Sequence, residues 1–304
     1  MPTLIKPTSL RPGDRVGVLS PASPCPVHEL EAGCAILKNL GLEVVSGVDG
    51  KSFQPDYLAG SDEDRASRFN EFVRDPKIKG ILCARGGYGS LRILPDIAYE
   101  ELQATPKSLV GFSDITALLL ACHAKTGLVC YHGPTVSTLA NSDQETIESF
   151  WTALSSSATL ELLFTEAVCL RSGRCEGSVL GGNLTTLIHL LGTSFLPSLS
   201  GAILFLEDRG ERLYRVDRML TQLIHTGLAQ EISGLILGDF SDNGPPRDEL
   251  NALVEERFSP MAFPILSGVP VGHGRRNLTL PLGLPATLDT QSGTLTYQQS
   301  ATAP

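Results

Sequence analysis

A serine stands where an apolar run meets a helical pattern. Ser108-Leu109-Val110 breaks at Gly111-Phe112-Ser113-Asp114 and passes directly into Ile115-Thr116-Ala117-Leu118-Leu119-Leu120-Ala121. A buried strand, a tight turn holding one Ser and an immediate helix make a nucleophile elbow, which lifts a hydroxyl out of a sheet and aims the first helical N–H groups at the same spot. The match to G-x-S-x-G is partial, because Ile115 stands where that motif has its second glycine. The same Ser113 also suits a plain helix N-cap, and the local sequence leaves both roles open.

A serine hydroxyl is a poor nucleophile at neutral pH and needs a base within reach and a third group to orient that base. Six histidines are candidates. His189 and His225 fall in helical patterns and read as structural, while His28 and His123 read as surface or helix-end residues. His132, in Tyr131-His132-Gly133-Pro134 after a strand, is an alternative base. His273 is the first choice, since the glycines of Val271-Gly272-His273-Gly274 permit the close backbone approach and unusual φ of a loop that holds a side chain over a site; a His in an ordinary turn would carry the same tetrapeptide. The carboxylate candidate is Glu207, at the end of Ala202-Ile203-Leu204-Phe205-Leu206, where a parallel sheet presents its ligand edge. Asp208 and Glu211 suit the bland role of acids at the start of the following helix.

Arg85-Gly86-Gly87-Tyr88-Gly89-Ser90 follows another strand. Its spacing lacks G-x-G-x-x-G and no P-loop Lys follows, so an oxyanion hole formed by a Gly86 or Gly87 N–H with the N–H of Asp114 fits better than a nucleotide site. Arg85 could hold a substrate carboxylate, or pair with Asp96 or Glu100. Tyr88 and Asn183 are further substrate-contact candidates, although Asn183, in Gly181-Gly182-Asn183-Leu184, is first of all a helix N-cap.

The elements that must position these groups alternate. Arg15 to Ser20 reads as a strand and 27 to 40 as a helix closed by Gly41; Ser61 caps a helix running toward Asp75-Pro76, and Lys79 to Ala84 is the next strand. Strands with crossover helices imply a parallel sheet. Residues 141 to 175 lose the alternation after a helix candidate at 143 to 154, predicting a nucleophile-bearing domain over 1–155, a linker over 156–175, and a second domain over 176–304. In the latter, strands are expected at 177–180, 202–206 and 235–237, helices near 183–191, 212–225 and 247–258, and Pro/Gly-rich strands from 265 to 297.

The 304 residues, 42% apolar and 19% charged, are an ordinary globular mixture. Net charge is −9, and the one Trp and six Tyr do not interleave with basic residues, so nucleic acid is not an expected partner. The stretch from Met1 to Asp14 has no apolar h-region and nowhere do about 18 apolar residues run together, so no membrane association or export is expected. Seven scattered cysteines without a C-x-x-C pair predict reduced thiols, with Cys83 and Cys122 in the core.

Taken together, the motifs resemble the LD-carboxypeptidase family of serine peptidases, which hydrolyse the bond to the terminal D-Ala of cytoplasmic muropeptides and include microcin C immunity proteins. The resemblance rests on Ser20-Pro21-Ala22-Ser23, Arg85-Gly86-Gly87-Tyr88-Gly89, Gly111-Phe112-Ser113-Asp114, His132-Gly133-Pro134, Gly181-Gly182-Asn183-Leu184, Leu206-Glu207-Asp208 with Tyr214 to Leu220, and Gly272-His273-Gly274 with Asn277. Their order and spacing, 94 residues from Ser113 to Glu207 and 66 from Glu207 to His273, make it specific. It implies a Ser113, Glu207 and His273 triad, an oxyanion hole at Gly86 and Asp114, and catalysis without metal or organic cofactor. It also implies an α/β fold: an N-terminal doubly wound, class I glutamine amidotransferase-like domain, and a C-terminal domain with a mixed, barrel-like sheet. The expected enzyme is a cytoplasmic, homodimeric L,D-carboxypeptidase of murein tetrapeptides whose partner is a small muropeptide substrate. One rival is an immunity-type amidase cleaving an acyl-sulfamoyl adenylate analogue, which needs an aromatic loop to stack adenine where this chain has only Trp151. The other is a non-catalytic muropeptide-binding module.

Overall fold

The computed structural model describes residues 3–48, 55–240 and 243–304; Met1 and Pro2 of the N-terminal stretch lie outside them. The first half comprises β1 (Arg15–Leu19), α1 (Val27–Asn39), β2 (Glu43–Ser46), α2 (Asp62–Arg74), β3 (Ile78–Cys83), α3 (Ser90–Ile93), α4 (Tyr99–Ala104), β4 (Ser108–Gly111), α5 (Thr116–Thr126), β5 (Cys130–His132), α6 (Val136–Leu139) and α7 (Gln144–Ser155). The second comprises β6 (Thr159–Leu163), β7 (Val168–Arg171), β8 (Arg174–Asn183), α8 (Leu184–Leu190), β9 (Ile203–Glu207), α9 (Leu213–His225), β10 (Gly234–Leu237), α10 (Arg247–Arg257), β11 (Ile265–Ser267), β12 (Leu280–Leu282), β13 (Pro285–Asp289) and β14 (Thr294–Ser300).

The result is a mixed α/β fold with two sheets. The first has the order β12-β5-β4-β3-β1-β2 and is parallel except for β12. Its central strands β3 and β4 are apolar runs buried almost end to end, as a sheet covered on both faces requires. Local signals set the helices. Ser61 Oγ accepts from the Asp64 N–H at 3.0 Å while the Asp64 carboxylate accepts from the Ser61 N–H, a reciprocal capping box opening α2. Gly41, at φ 87°, closes α1.

The second sheet has the order β6-β14-β13-β8-β9-β10-β11-β7, with β8 to β11 parallel and the other strands antiparallel to their neighbours. Two features depart from the expected division. Residues 156–175 are not a free linker, because β6 and β7 lie in them and form the two ends of this sheet. Both strands are largely exposed: β7 shows no alternation, and the alternation of β6, with Leu160 buried and Leu162 half-buried, spans only five residues. The second departure is β12, which leaves the C-terminal half and pairs antiparallel with β5, Leu280 opposite His132 and Leu282 opposite Cys130. Pro281 cannot donate to a ladder and is tolerated because β12 is an edge.

A continuous buried core runs through both halves, and α5 packs on α8 and β8. All seven cysteines are free thiols, Cys83 and Cys122 fully buried. Among the described residues no helix is long and apolar enough to cross a membrane.

Candidate active site

Ser113 sits at the carboxyl end of β4, in a single 3-10 turn (Ser113–Ile115) that separates the strand from α5. Its φ is 64°, in the left-handed region that costs a non-glycine residue free energy and that a nucleophile elbow imposes. The turn is held from several sides. Ile115 N–H donates to Phe112 O, and Ile115 folds over Gly111 so closely that a Cβ there would lie 2.6 Å from Ile115 Cγ2. The Ser113 side chain caps no helix. Its hydroxyl lies 3.1 Å from His273 Nε2 instead.

His273 rides the loop between β11 and β12. Bonds that fix that loop include Gly272 N–H to Asn277 Oδ1 at 2.9 Å, Asp239 N–H to Val271 O at 2.8 Å, and Leu278 N–H to Pro270 O at 3.0 Å. Gly272 is at φ 119°, and a Cβ on it would stand 2.7 Å from Glu207 Oε2, so only glycine lets the loop pass this close to the carboxylate. Glu207, the last residue of β9, has no exposed surface and holds His273 Nδ1 at 2.6 Å. Burial alone would depress the His273 ring, but the Glu207 carboxylate, by hydrogen bond and by charge, raises it above its ordinary value. Burial raises Glu207, and the His273 bond opposes that shift.

The glycine loop faces the same hydroxyl. A Cβ on Gly86 would lie 3.0 Å from Ser113 Cβ and 3.3 Å from its Oγ, so the glycine lets the backbone come close against the serine. Asp114 has two parts. Its N–H opens the 3-10 turn, where donors have no acceptor of their own, and its carboxylate accepts from Ser90 N–H at 2.8 Å, tying the glycine loop to the serine turn. The glycine loop and the serine turn thus meet beside a hydroxyl whose proton has an acceptor in His273. Such an arrangement can add a serine to a carbonyl and stabilise the resulting oxyanion.

Known proteins share this chain's sequence pattern and fold. Residues 16–133 match the family model of the LD-carboxypeptidase N-terminal domain and residues 176–288 that of its C-terminal domain. The murein tetrapeptide carboxypeptidase of Pseudomonas aeruginosa is 35% identical over 90% of this chain and 93% of its own. The chain belongs to the LD-carboxypeptidase family. A crystal structure of the muramoyltetrapeptide carboxypeptidase from Oxalobacter formigenes superposes with a TM-score of 0.82 at 32% identity, covering 93% of this chain and 97% of that one. The microcin C7 self-immunity protein MccF of Escherichia coli is 31% identical over 95% of this chain and 93% of its own. A structure of MccF in complex with aspartyl sulfamoyl adenosine superposes with a TM-score of 0.91 at 28% identity, covering 98% of this chain and 100% of that one.

In this LD-carboxypeptidase family member Ser113 and His273 face a cleft of about 1060 Å³ between the two sheets, with Glu207 buried behind His273. Arg85 lines it, exposed, and donates to Pro24 O at 3.2 Å; it pairs with neither Asp96 nor Glu100. Tyr88 lines it too, half exposed. Asn183 is buried at its edge with its amide already engaged: Oδ1 accepts from Thr186 N–H and Nδ2 donates to Asp208. Asp208 does not serve the helix after it, as the sequence suggested. It accepts from Thr185 N–H at 2.9 Å and Thr185 Oγ1 at 2.7 Å, closing the first turn of α8. Glu211 pairs with Arg215.

His132 is not an alternative base in this geometry. It is the last residue of β5, fully buried between Phe112 and Phe205 with neither ring nitrogen hydrogen-bonded, and desolvation pushes its pKa down to about 3. His189, read as structural, lines the cleft from α8. The sequence reading also missed the cleft wall formed by Thr135, Ser137, Thr138 and Asn141 after His132-Gly133-Pro134, and Arg275, two residues past His273. The run of hydroxyls was the signal available for the former. Trp151 lies on α7 and does not line the cleft. Among the described residues no cluster could hold a metal ion.

Proposed function

We propose that this protein is a serine-type L,D-carboxypeptidase that removes the terminal D-Ala from murein tetrapeptides, by an acyl-enzyme route. The observation carrying the reading is the hydrogen-bonded series Ser113 Oγ, His273 Nε2, His273 Nδ1, Glu207 Oε2, at 3.1 and 2.6 Å, on the wall of a large cleft. In this reading His273 takes the Ser113 proton as Oγ attacks the carbonyl carbon of the bond to D-Ala. Glu207 keeps the proton of His273 on Nδ1 and stabilises the imidazolium. The Gly86 and Asp114 N–H groups bind the tetrahedral oxyanion, an effect worth about 10²–10³ in rate per donor. The imidazolium then protonates the amine of D-Ala, which leaves. Water, deprotonated by His273, releases the tripeptide and restores the Ser113 hydroxyl.

The names of the Pseudomonas and Oxalobacter relatives support the murein substrate, and the seven free thiols fit a reducing compartment where murein fragments are reused. The test is mass-spectrometric detection of free D-Ala and tripeptide from L,D-tetrapeptide. Wild type should release both, and Ser113→Ala should release neither while keeping its unfolding midpoint. Hydrolysis by folded Ser113→Ala would overturn the mechanism.

A further inference from the structure

Two tyrosine rings stand half exposed beside the cleft, each 50% accessible, with centroids 5.7 Å apart and planes at 68°. Single exposed aromatics need no explanation, but these are held in place by buried polar groups. The Ser23 hydroxyl, itself buried, donates to Tyr57 O at 2.7 Å and accepts from Tyr88 N–H at 3.1 Å, fixing the two backbones side by side. Beneath them Arg65, 3% exposed, donates to the carbonyls of Pro21, Gly60 and Gly89 and pairs with Asp62. One guanidinium thus staples the three loops that present Ser23, Tyr57 and Tyr88. Neither phenol hydroxyl is hydrogen-bonded within the described residues, so both rings offer an apolar face and an unused polar tip, the combination that serves recognition.

We propose that Tyr57 and Tyr88 form a sugar-binding corner at the mouth of the cleft, taking the N-acetylated pyranose of a glycan-linked muropeptide. The inference rests on the carboxypeptidase reading above. Two nearly perpendicular rings suit a pyranose, whose C–H face packs on one ring while its hydroxyls and acetamide meet the other's edge and the phenol groups. A flat base would favour an offset-parallel slot. Reach agrees. Gly86 abuts Ser113, and Tyr88, two residues on, has its Cα within about 7 Å of Gly86. On the leaving side the substrate has one residue, ending in a carboxylate. On the acyl side three residues of roughly 3.5 Å each separate the reacting carbonyl from the sugar, a span the Tyr88 ring can meet by reaching beyond its own Cα, whereas the leaving side carries no sugar.

The experiment compares kcat/KM for free tetrapeptide and for tetrapeptide carrying N-acetylmuramic acid, in wild type, Tyr57→Leu and Tyr88→Leu. Wild type should favour the sugar-bearing substrate, and the ratio of the two values should fall about tenfold in each variant, the scale of one aromatic contact. A wild-type ratio near one, or the same ratio in all three proteins, overturns the corner. If wild type cleaves neither substrate, the carboxypeptidase reading fails. The corner is then judged by calorimetric binding of the sugar-bearing peptide, and affinity equal in wild type and Tyr88→Leu overturns it. Adenosine monophosphate binding that is lost in these variants, with no sugar dependence, would assign the rings to a base and likewise overturn the proposal.

Discussion

Acidification should destabilise this protein through one histidine that does no chemistry. His132 is fully buried against Phe112 and Phe205, without a partner for either nitrogen, and its pKa is pushed down to about 3 by desolvation. Unfolded, it would titrate near 6.5. Between those values the unfolded chain binds a proton the folded chain refuses, so stability is intact above pH 6.5 and is lost as pH falls toward 3. At 1.36 kcal/mol per pH unit, moving from pH 7 to pH 5 removes roughly 2 kcal/mol through this side chain alone. His132→Leu keeps an apolar group of similar volume and deletes the titration. Urea unfolding of both proteins at pH 7 and pH 5 isolates the effect, because all other titrating groups cancel in the comparison. The variant should lose about 2 kcal/mol less than wild type over that interval. Equal losses, or a His132 ring titrating near 6.5 by NMR in the folded protein, would refute the reasoning.

Other perturbations address the site. Because Glu207 raises His273, and the base must be neutral to accept a proton, kcat/KM should rise with pH with an apparent pKa above 6.5, and His132→Leu should keep this limb; its loss there would make His132 the base. Glu207→Gln should lower kcat steeply, on the order of 10⁴ as for other triad carboxylates, with the fold intact, whereas Asp208→Asn should cost mainly stability by loosening the first turn of α8; thermal unfolding and kcat measured on both separate the roles. Gly272→Ala places a methyl 2.7 Å from Glu207 Oε2 at φ 119°, so it should cost about 1–3 kcal/mol in urea unfolding and reduce kcat at least tenfold; wild-type kcat would show that the loop can yield.

Most of the elements were legible in the chain because each has a local cause. Ser61 with Asp64 sets α2, Gly41 ends α1, and the buried runs of β3, β4 and β9 read as strands from their apolar content. Ser113, Glu207 and His273 were each ambiguous locally, a turn serine, a strand-end acid and a loop histidine, and became specific only through their joint spacing. Legibility failed where the determining contacts are long-range. β6 and β7 are exposed edges, the first with only a five-residue alternation and the second with none, and β12 is three residues whose partner lies some 150 positions earlier. His189 and Asp208 were misassigned for the same reason: which helix end an acid serves, and which helix face meets a cleft, depend on packing between the sheets.

The place of β12 joins the two halves of the site. The serine and its elbow belong to strands made early in the chain, and the carboxylate follows; the histidine is delivered by the loop immediately before Leu280, which β12 ties to the serine's own sheet by docking on β5. A chain clipped ahead of Leu280 would keep the histidine's bond to Glu207 but lose the strand that registers its loop against the serine's sheet. One short edge strand therefore carries much of the tie between the sheet that holds the nucleophile and the loop that holds its base.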